Sequence, residues 1–384
     1  MSARCTGQRS AAALLCFVVL ALGLLAAQSA AAEDVKIGVI LSSTGRAAFL
    51  APPIADAVKL AVDEINAEGG ILNGRQLQAI LGDSKSTADD SVAAATKLVQ
   101  DDKVAAIVGP LTSLTTLAAA EKVTIPNGVL LISPSATAPM LTSMEDKDFV
   151  FRVAPSDANE GWVMATLLYH EGLRKVAVTY ITGAYGSGIN DTFRNNFENY
   201  KGTITVALAH EANKVSYDHE LRLLTKHDPE ALVLIDFASS GGITVIKEAL
   251  DKGYFKQIIG TDALMDPALI KEVGADRLKA ISFVAPTIDH TRPAAQTFEK
   301  LYAAAYQTTE GKLYIAQAYD AVMMTALAIE KAGTTDRTKI RDALRQICCG
   351  PGEVVGPGDW AKAKADIAAG KKINYEGASG NCDF

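Results

Sequence analysis

Aromatic residues make up only 6% of the 384-residue chain, histidines number 5 and cysteines 5, and basic residues do not outnumber acidic ones, at 37 Lys and Arg against 44 Asp and Glu. An acidic chain with no run of basic residues interleaved with Phe or Tyr lacks both the charge and the stacking platform that a nucleic-acid backbone needs. His170, His210, His219, His227 and His290 form no His-Glu-x-x-His pair. There is no Gly-x-Ser-x-Gly elbow and no Gly-x-x-x-x-Gly-Lys phosphate loop, and Gly183, Gly186 and Gly188 do not have the dinucleotide spacing. No catalytic residue, metal site or cofactor is therefore expected, and the chain reads as a binding protein and not an enzyme.

Long apolar runs are also missing, except at the start. Arg4 and Arg9 precede the apolar stretch Ala11 to Ala27, and Ala30-Ala31-Ala32 stand before Glu33. That order of basic, apolar and small residues is a signal peptide, with the cut expected after Ala32 and the product periplasmic. Removing residues 1–32 leaves 35 basic against 44 acidic residues, a formal charge of −9. Export makes a disulfide permissible among Cys348, Cys349 and Cys382. Cys348 and Cys349 are adjacent and followed by Gly350-Pro351-Gly352, so one bridge to Cys382 is expected, with Cys349 the preferred partner; three buried free thiols are the alternative.

What is present is an alternation of short β-branched runs with amphipathic stretches, the pattern of β-α units on a parallel sheet. Strands are expected at Val35 to Leu41, Leu77 to Gly82, Ala105 to Val108 and Val129 to Ser133, separated by helices at Pro52 to Glu68, Ser86 to Gln100 and Leu114 to Lys122. The pattern restarts with strands at Val176 to Tyr180, Ile204 to Ala209, Ala231 to Phe237, Gln257 to Thr261 and Ile281 to Ala285. The helices expected here are Asp157 to Glu171, Gly188 to Phe197, Tyr217 to Lys226 and Gly241 to Gly253. Four more helices follow, at Pro293 to Tyr306, Leu313 to Ala332, Thr338 to Gln346 and Asp359 to Ala369, with no room for a new sheet. The fold class is α/β, as two doubly wound parallel-sheet lobes: residues 33–153 plus 287–384, and residues 154–286. The Pro-containing segments Arg152 to Ser156 and Ala285 to Asp289 read as hinge strands between them.

In open α/β sheets ligands bind at strand-exit loops. Val108-Gly109-Pro110-Leu111-Thr112-Ser113 leads into a helix, so its N–H groups and hydroxyls suit a carboxylate, although Thr112 or Ser113 as a plain N-cap explains the same residues. Ile132 to Pro139 offers hydroxyls and carbonyls in a stretch bracketed by two prolines, with an ordinary surface connection as the alternative. Tyr185 lies among glycines, and Asp262 ends a strand where it can meet an ammonium or cap the next helix.

Taken together, Asp63 to Gly70, Gly109 to Ser113, Ile132 to Pro139, Phe151 to Asp157, Tyr185-Gly186 and Gly260-Thr261-Asp262 resemble the leucine/isoleucine/valine-binding protein family, in order, from about Val35 to Phe384. The resemblance implies a type I periplasmic binding protein: a monomeric receptor that traps an amino acid between lobes and delivers it to the membrane permease of an ABC importer. It also implies that Ser113 takes the ligand carboxylate and that Thr137, with the backbone of Ser135 and Ala136, holds carboxylate and ammonium. Asp262 would pair the ammonium and Tyr185 would close over the ligand. Where branched-chain receptors line the side-chain pocket with aromatics, this sequence places Leu50 beside Phe49 and Ala238 beside Phe237, leaving room for a larger side chain. Relatives usually continue through a further strand where this sequence has Asn381 to Phe384. The alternatives within the fold are an amide, urea or aromatic acid as cargo, or a soluble sensor in place of a transport receptor.

Overall fold

The computed structural model describes residues 33–384; the expected leader and its cut after Ala32 lie outside the described residues. From Val35 onward the chain builds two five-stranded sheets, both wholly parallel. The first has the order β2-β1-β3-β4-β5, with β1 at Val35–Leu41, β2 at Leu77–Asp83, β3 at Ala106–Val108, β4 at Leu130–Ser133 and β5 at Val150–Arg152. The second has the order β10-β9-β8-β6-β7, with β6 at Lys175–Ile181, β7 at Thr203–His210, β8 at Ala231–Ile235, β9 at Ile258–Thr261 and β10 at Ile281–Val284. Counted from its own first strand, each sheet has the same 2-1-3-4-5 order. This is the doubly wound topology expected from the alternation, and its order reverses beside β1 and β6.

The apolar runs end up where a parallel sheet needs them. Every residue of β3, β4 and β8 is buried, because helices cover both faces. The Ile315–Ala332 helix is buried along nearly its whole length and packs against the Ala51–Ala67 helix beside the first sheet. Gly109 has φ +96, and a Cβ there would lie 2.2 Å from the Ile40 carbonyl oxygen, so only glycine turns the chain out of β3 at this point.

Three features differ from the sequence reading. β5 forms just ahead of the Pro155 segment, where Leu131, Ile132 and Ser133 of β4 supply a pairing edge that local pattern does not reveal. The glycine-rich turn around Tyr185 is the first turn of the Ala184–Asn199 helix, which starts earlier than the expected Gly188. Gly186 permits this: a Cβ would lie 1.9 Å from the carbonyl oxygen of Ile181. The C-terminal part also contains a small parallel pair, β11 at Glu353–Val355 and β12 at Ile373–Tyr375, where only helices were expected.

The tail is anchored by one buried acid. Asp320 accepts bonds from the Tyr375 hydroxyl at 2.7 Å, from the Ala378 and Ser379 N–H groups at 2.9 and 2.8 Å, and from the Ser379 hydroxyl at 2.5 Å. The expected Cys349–Cys382 bridge is absent, and all three thiols are free. Cys382 is drawn toward Asp320, with Sγ 4.0 Å from Oδ2, whereas Cys349 faces the Phe384 carbonyl at 3.8 Å and the Cys348 sulfur at 3.5 Å.

Candidate functional site

Strand-exit loops of both sheets converge on one cavity of about 20 Å³, room for about one water molecule. It is lined by Leu50, Leu111, Thr112, Ser113, Ser135, Thr137, Tyr185, Phe237, Asp262, Ala263 and Tyr314. Seven of the sequence-nominated residues are therefore brought together: Leu50, Ser113, Ser135, Thr137, Tyr185, Phe237 and Asp262. Ala136, Phe49 and Ala238 do not line it. Ala136 is buried and its N–H donates to Ser133 Oγ at 3.0 Å, so that backbone donor is already engaged. Phe49 packs on the core, and Ala238 is buried in a short turn after Phe237.

On the side of the first sheet the hydroxyls sort into two groups. Thr112 is the N-cap of the Ser113–Ala119 helix and forms a capping box with Thr115. Ser113 is thereby released from capping. Its Oγ accepts from the Ala138 N–H at 3.1 Å, which leaves the hydroxyl hydrogen to donate into the cavity. Ser135 is tied back through its hydroxyl to the Leu111 carbonyl at 2.8 Å. The carbonyl of Thr137 accepts from the Asp157 N–H at 2.9 Å and from Arg152 at 3.1 Å, so the Thr137 loop is tied to the end of β5 and the start of the Asp157–His170 helix.

On the opposite side Asp262 follows β9 directly. It does not cap the next helix, whose N-cap is Asp266. Its two carboxylate oxygens accept from different rings: Oδ1 from the Tyr185 hydroxyl at 2.8 Å and Oδ2 from the Tyr314 hydroxyl at 2.5 Å. Burial pushes the Asp262 carboxyl above its ordinary range, while the two tyrosine hydroxyls pull it down. Tyr185 also lies 3.0 Å from Thr261 Oγ1 and packs against the Phe237 ring with centroids 5.2 Å apart. Around the rim, Arg46 from the β1 exit loop stands 4.9 Å over the Phe237 ring, and its carbonyl accepts from the Ser239 hydroxyl at 3.1 Å.

Leu111 and Thr112 come from the Val108 to Ser113 loop already nominated for a carboxylate, and the lining residue that sequence reasoning missed outright is Tyr314. Tyr314 was read as part of a helix from Leu313, but it sits in the left-handed region at φ 61 as the N-cap of a helix beginning at Ile315, which turns its ring toward Asp262. Two further acids escaped notice. Asp157 and Glu160, in the first turn of the Asp157–His170 helix, looked like ordinary helix-start acids. Both are buried, with the Thr137 side chain facing Asp157 and the Asp262 N–H facing Glu160, neither of them in close hydrogen-bond geometry.

Comparison with known proteins gives a consistent picture. A family model described as periplasmic binding protein matches residues 34–368. The chain is 28% identical over 365 residues to the chemotactic signal transduction system substrate-binding protein BasB of Halobacterium salinarum, covering 92% of this chain and 84% of that protein. It is 27% identical over 330 residues to the leucine-, isoleucine-, valine-, threonine- and alanine-binding protein of Pseudomonas aeruginosa, covering 86% and 87%. The branched-chain amino acid transporter substrate-binding protein LivJ of Streptococcus pneumoniae, solved with isoleucine, superposes with a TM-score of 0.71 at 29% identity, covering 82% of this chain and 89% of that one.

Proposed function

The chain belongs to the periplasmic binding protein family, and from that premise we propose that it captures an α-amino acid between its two lobes and delivers it to the membrane permease of an ABC importer. The observation that carries this reading is the pairing of opposite chemistries across one small cavity. Ser113 presents a neutral hydroxyl donor to an anion, and Asp262 faces it from the other sheet as a buried acid. A ligand with a carboxylate and an ammonium answers both. Exclusion of water strengthens both contacts relative to bulk solvent. An amide, urea or aromatic acid would leave Asp262 as an unpaired buried charge, which is costly.

The cavity is too small for an amino acid while the lobes are together, so capture requires the lobes to part and close again. In this reading residues 33–153 plus 287–384 form one lobe, residues 154–286 form the other, and Arg152 to Ser156 and Ala285 to Asp289 are the hinges. Asp262 and Tyr314 then meet only on closure, which supplies the change of surface that a permease reads. The receptor acts as a monomer in the periplasm after loss of its leader at Ala32. A second reading keeps the capture and changes the listener to a membrane sensor; the similarity to BasB, a protein of a chemotactic signal transduction system, supports it.

The test is a thermal-shift screen of the chain from Glu33 onward, unfolded and refolded to remove any ligand carried through purification. A true ligand at about 100 times its dissociation constant adds roughly 2.7 kcal/mol of stability. A raised midpoint with an α-amino acid is the expected result. Shifts with amides or aromatic acids alone would overturn the ammonium site.

A further inference from the structure

Tyr314 lines two cavities. One is the candidate site; the other has a volume of about 520 Å³ and shares no other residue with it. That volume lies within the range of roughly 300–1,000 Å³ usual for small-molecule sites. Met265, which closely follows β9, and Ala285 to Ile288, which follow β10, border the second cavity together with every residue from Thr309 to Gln317. It therefore lies between elements of the second sheet and the start of the Ile315–Ala332 helix, which packs beside the first.

That helix is 18 residues long and no side chain caps its start. Its N-cap residue, Tyr314, sends its hydroxyl to Asp262 instead. The N–H groups of Ile315, Ala316 and Gln317 have no acceptor among the described residues, so the positive end of the helix dipole is left without a partner.

Gln317 adds an independent observation. It is only 5% exposed and lines the second cavity, yet its side-chain amide has no hydrogen-bond partner among the described residues. A buried amide in that condition costs free energy that a bonding partner inside the cavity would recover. Lys312 also lines the cavity, with Nζ 3.4 Å from the Tyr302 hydroxyl and 4.6 Å over its ring, and it forms no ion pair among the described residues. The two acids of the lining do not cancel these donors: Glu299 is paired with His290, and Glu310 is exposed. Much of the remaining wall is apolar, with Met265, Ile288, Phe298, Leu313 and Ile315.

The geometry points to a second binding site in this cavity, for a carboxylate that carries an apolar chain. The Gln317 amide, the first-turn N–H groups and Lys312 receive the carboxylate, through charge-assisted bonds at a helix start. Met265, Ile288 and Leu313 take the chain out of water. The site is separate from the capture cavity, because Ser113, Thr137 and Asp262 do not line it.

The test is calorimetric titration of the refolded chain from Glu33 onward with sodium octanoate, octanamide and sodium acetate at neutral pH. Octanoate is expected to bind with one equivalent, about 10-fold or more tightly than octanamide, which lacks the charge, and than acetate, which lacks the chain. Gln317→Leu exchanges an unpartnered amide for an apolar group of similar size, so it should fold at least as stably as the wild type while losing about 10-fold in octanoate affinity. Lys312→Ala should weaken octanoate as well, and Ser113→Ala should leave it unchanged. Absence of octanoate binding, octanamide or acetate binding equally well, or undiminished affinity in a folded Gln317→Leu protein would overturn the inference. Loss of octanoate affinity in Ser113→Ala would place the carboxylate in the capture cavity and overturn it too. If Gln317→Leu does not fold, Lys312→Ala and Ser113→Ala decide.

Discussion

Tyr314 and Asp262, 52 positions apart in the chain, are joined by a 2.5 Å hydrogen bond from the tyrosine hydroxyl to Oδ2, which ties the start of the Ile315–Ala332 helix to the exit of β9. The first element packs beside the first sheet and the second belongs to the other sheet, so this one bond spans the cleft. Tyr314→Phe keeps the ring and removes the donor. It should weaken ligand binding by about 1–3 kcal/mol, the cost of leaving a buried acceptor partly unsatisfied. Calorimetric affinity measures it, and an unchanged value would show that the bond does not contribute to closure.

Asp262→Ala removes the acid itself. If Asp262 holds the ligand ammonium, the loss should be about 3–5 kcal/mol, the range for breaking a buried ion pair. Equal affinity in variant and wild type would remove Asp262 from the site.

Thr112 and Ser113 are neighbours with separable roles. Thr112→Ala removes the capping-box side chain and should cost about 0.5–2 kcal/mol of folding stability. Ser113→Ala leaves the cap intact and should cost about 1–3 kcal/mol of ligand affinity through a lost bond to a charged group, together with some folding stability because the buried Ala138 N–H loses its acceptor. Chemical denaturation and calorimetry on the pair check the separation. Stability lost in Ser113→Ala without a change in affinity would return Ser113 to a structural role.

Much of this was legible from local pattern because parallel strands buried on both faces are continuous apolar runs, and β1 runs from Val35 to Leu41 as the alternation implies. The loops nominated for chemistry lie at strand exits, where the topology of an open sheet puts them. What local pattern does not carry is long-range direction. Glu160 reads as a favourable helix-start acid whether it points to water or into the protein, and only the neighbouring Asp262 gives it meaning. Tyr314 reads as helical because nothing nearby in sequence reveals that its backbone turns left-handed at φ 61. The Cys349–Cys382 bridge was inferred from adjacency and compartment, and the structure instead directs Cys382 to a carboxylate far away in the chain.

That carboxylate, Asp320, fixes the C-terminal tail through four donors and is fully buried. Asp320→Asn preserves the shape but turns an N–H₂ group toward donors, leaving at least one buried N–H unsatisfied at about 1–3 kcal/mol. The denaturation midpoint should fall, and limited proteolysis should release the tail beyond Tyr375 sooner than in the wild type. A variant as resistant as the wild type would show that the tail is held by its apolar contacts alone.

The acids of the site also set a direction for pH dependence. Burial raises the carboxyls of Asp157 and Glu160 well above their ordinary values of 3.8 and 4.5, with the charge of Asp262 adding to the effect, and burial raises Asp262 as well. The folded protein therefore holds protons more tightly at these groups than the unfolded chain does. For such groups the contribution to stability is present in full below the unfolded values and is lost as pH rises through the folded ones. These groups pull the melting midpoint of the ligand-free protein down as pH is raised from about 4 toward 8, the opposite of what salt-bridged carboxylates such as Asp148 and Asp218 contribute. Glu160→Gln cannot lose that proton, so its midpoint should fall less over the same interval. Thermal melts of both proteins across the series provide the check: parallel curves would mean that Glu160 keeps its charge in the folded state, held by the Asp262 N–H that faces it.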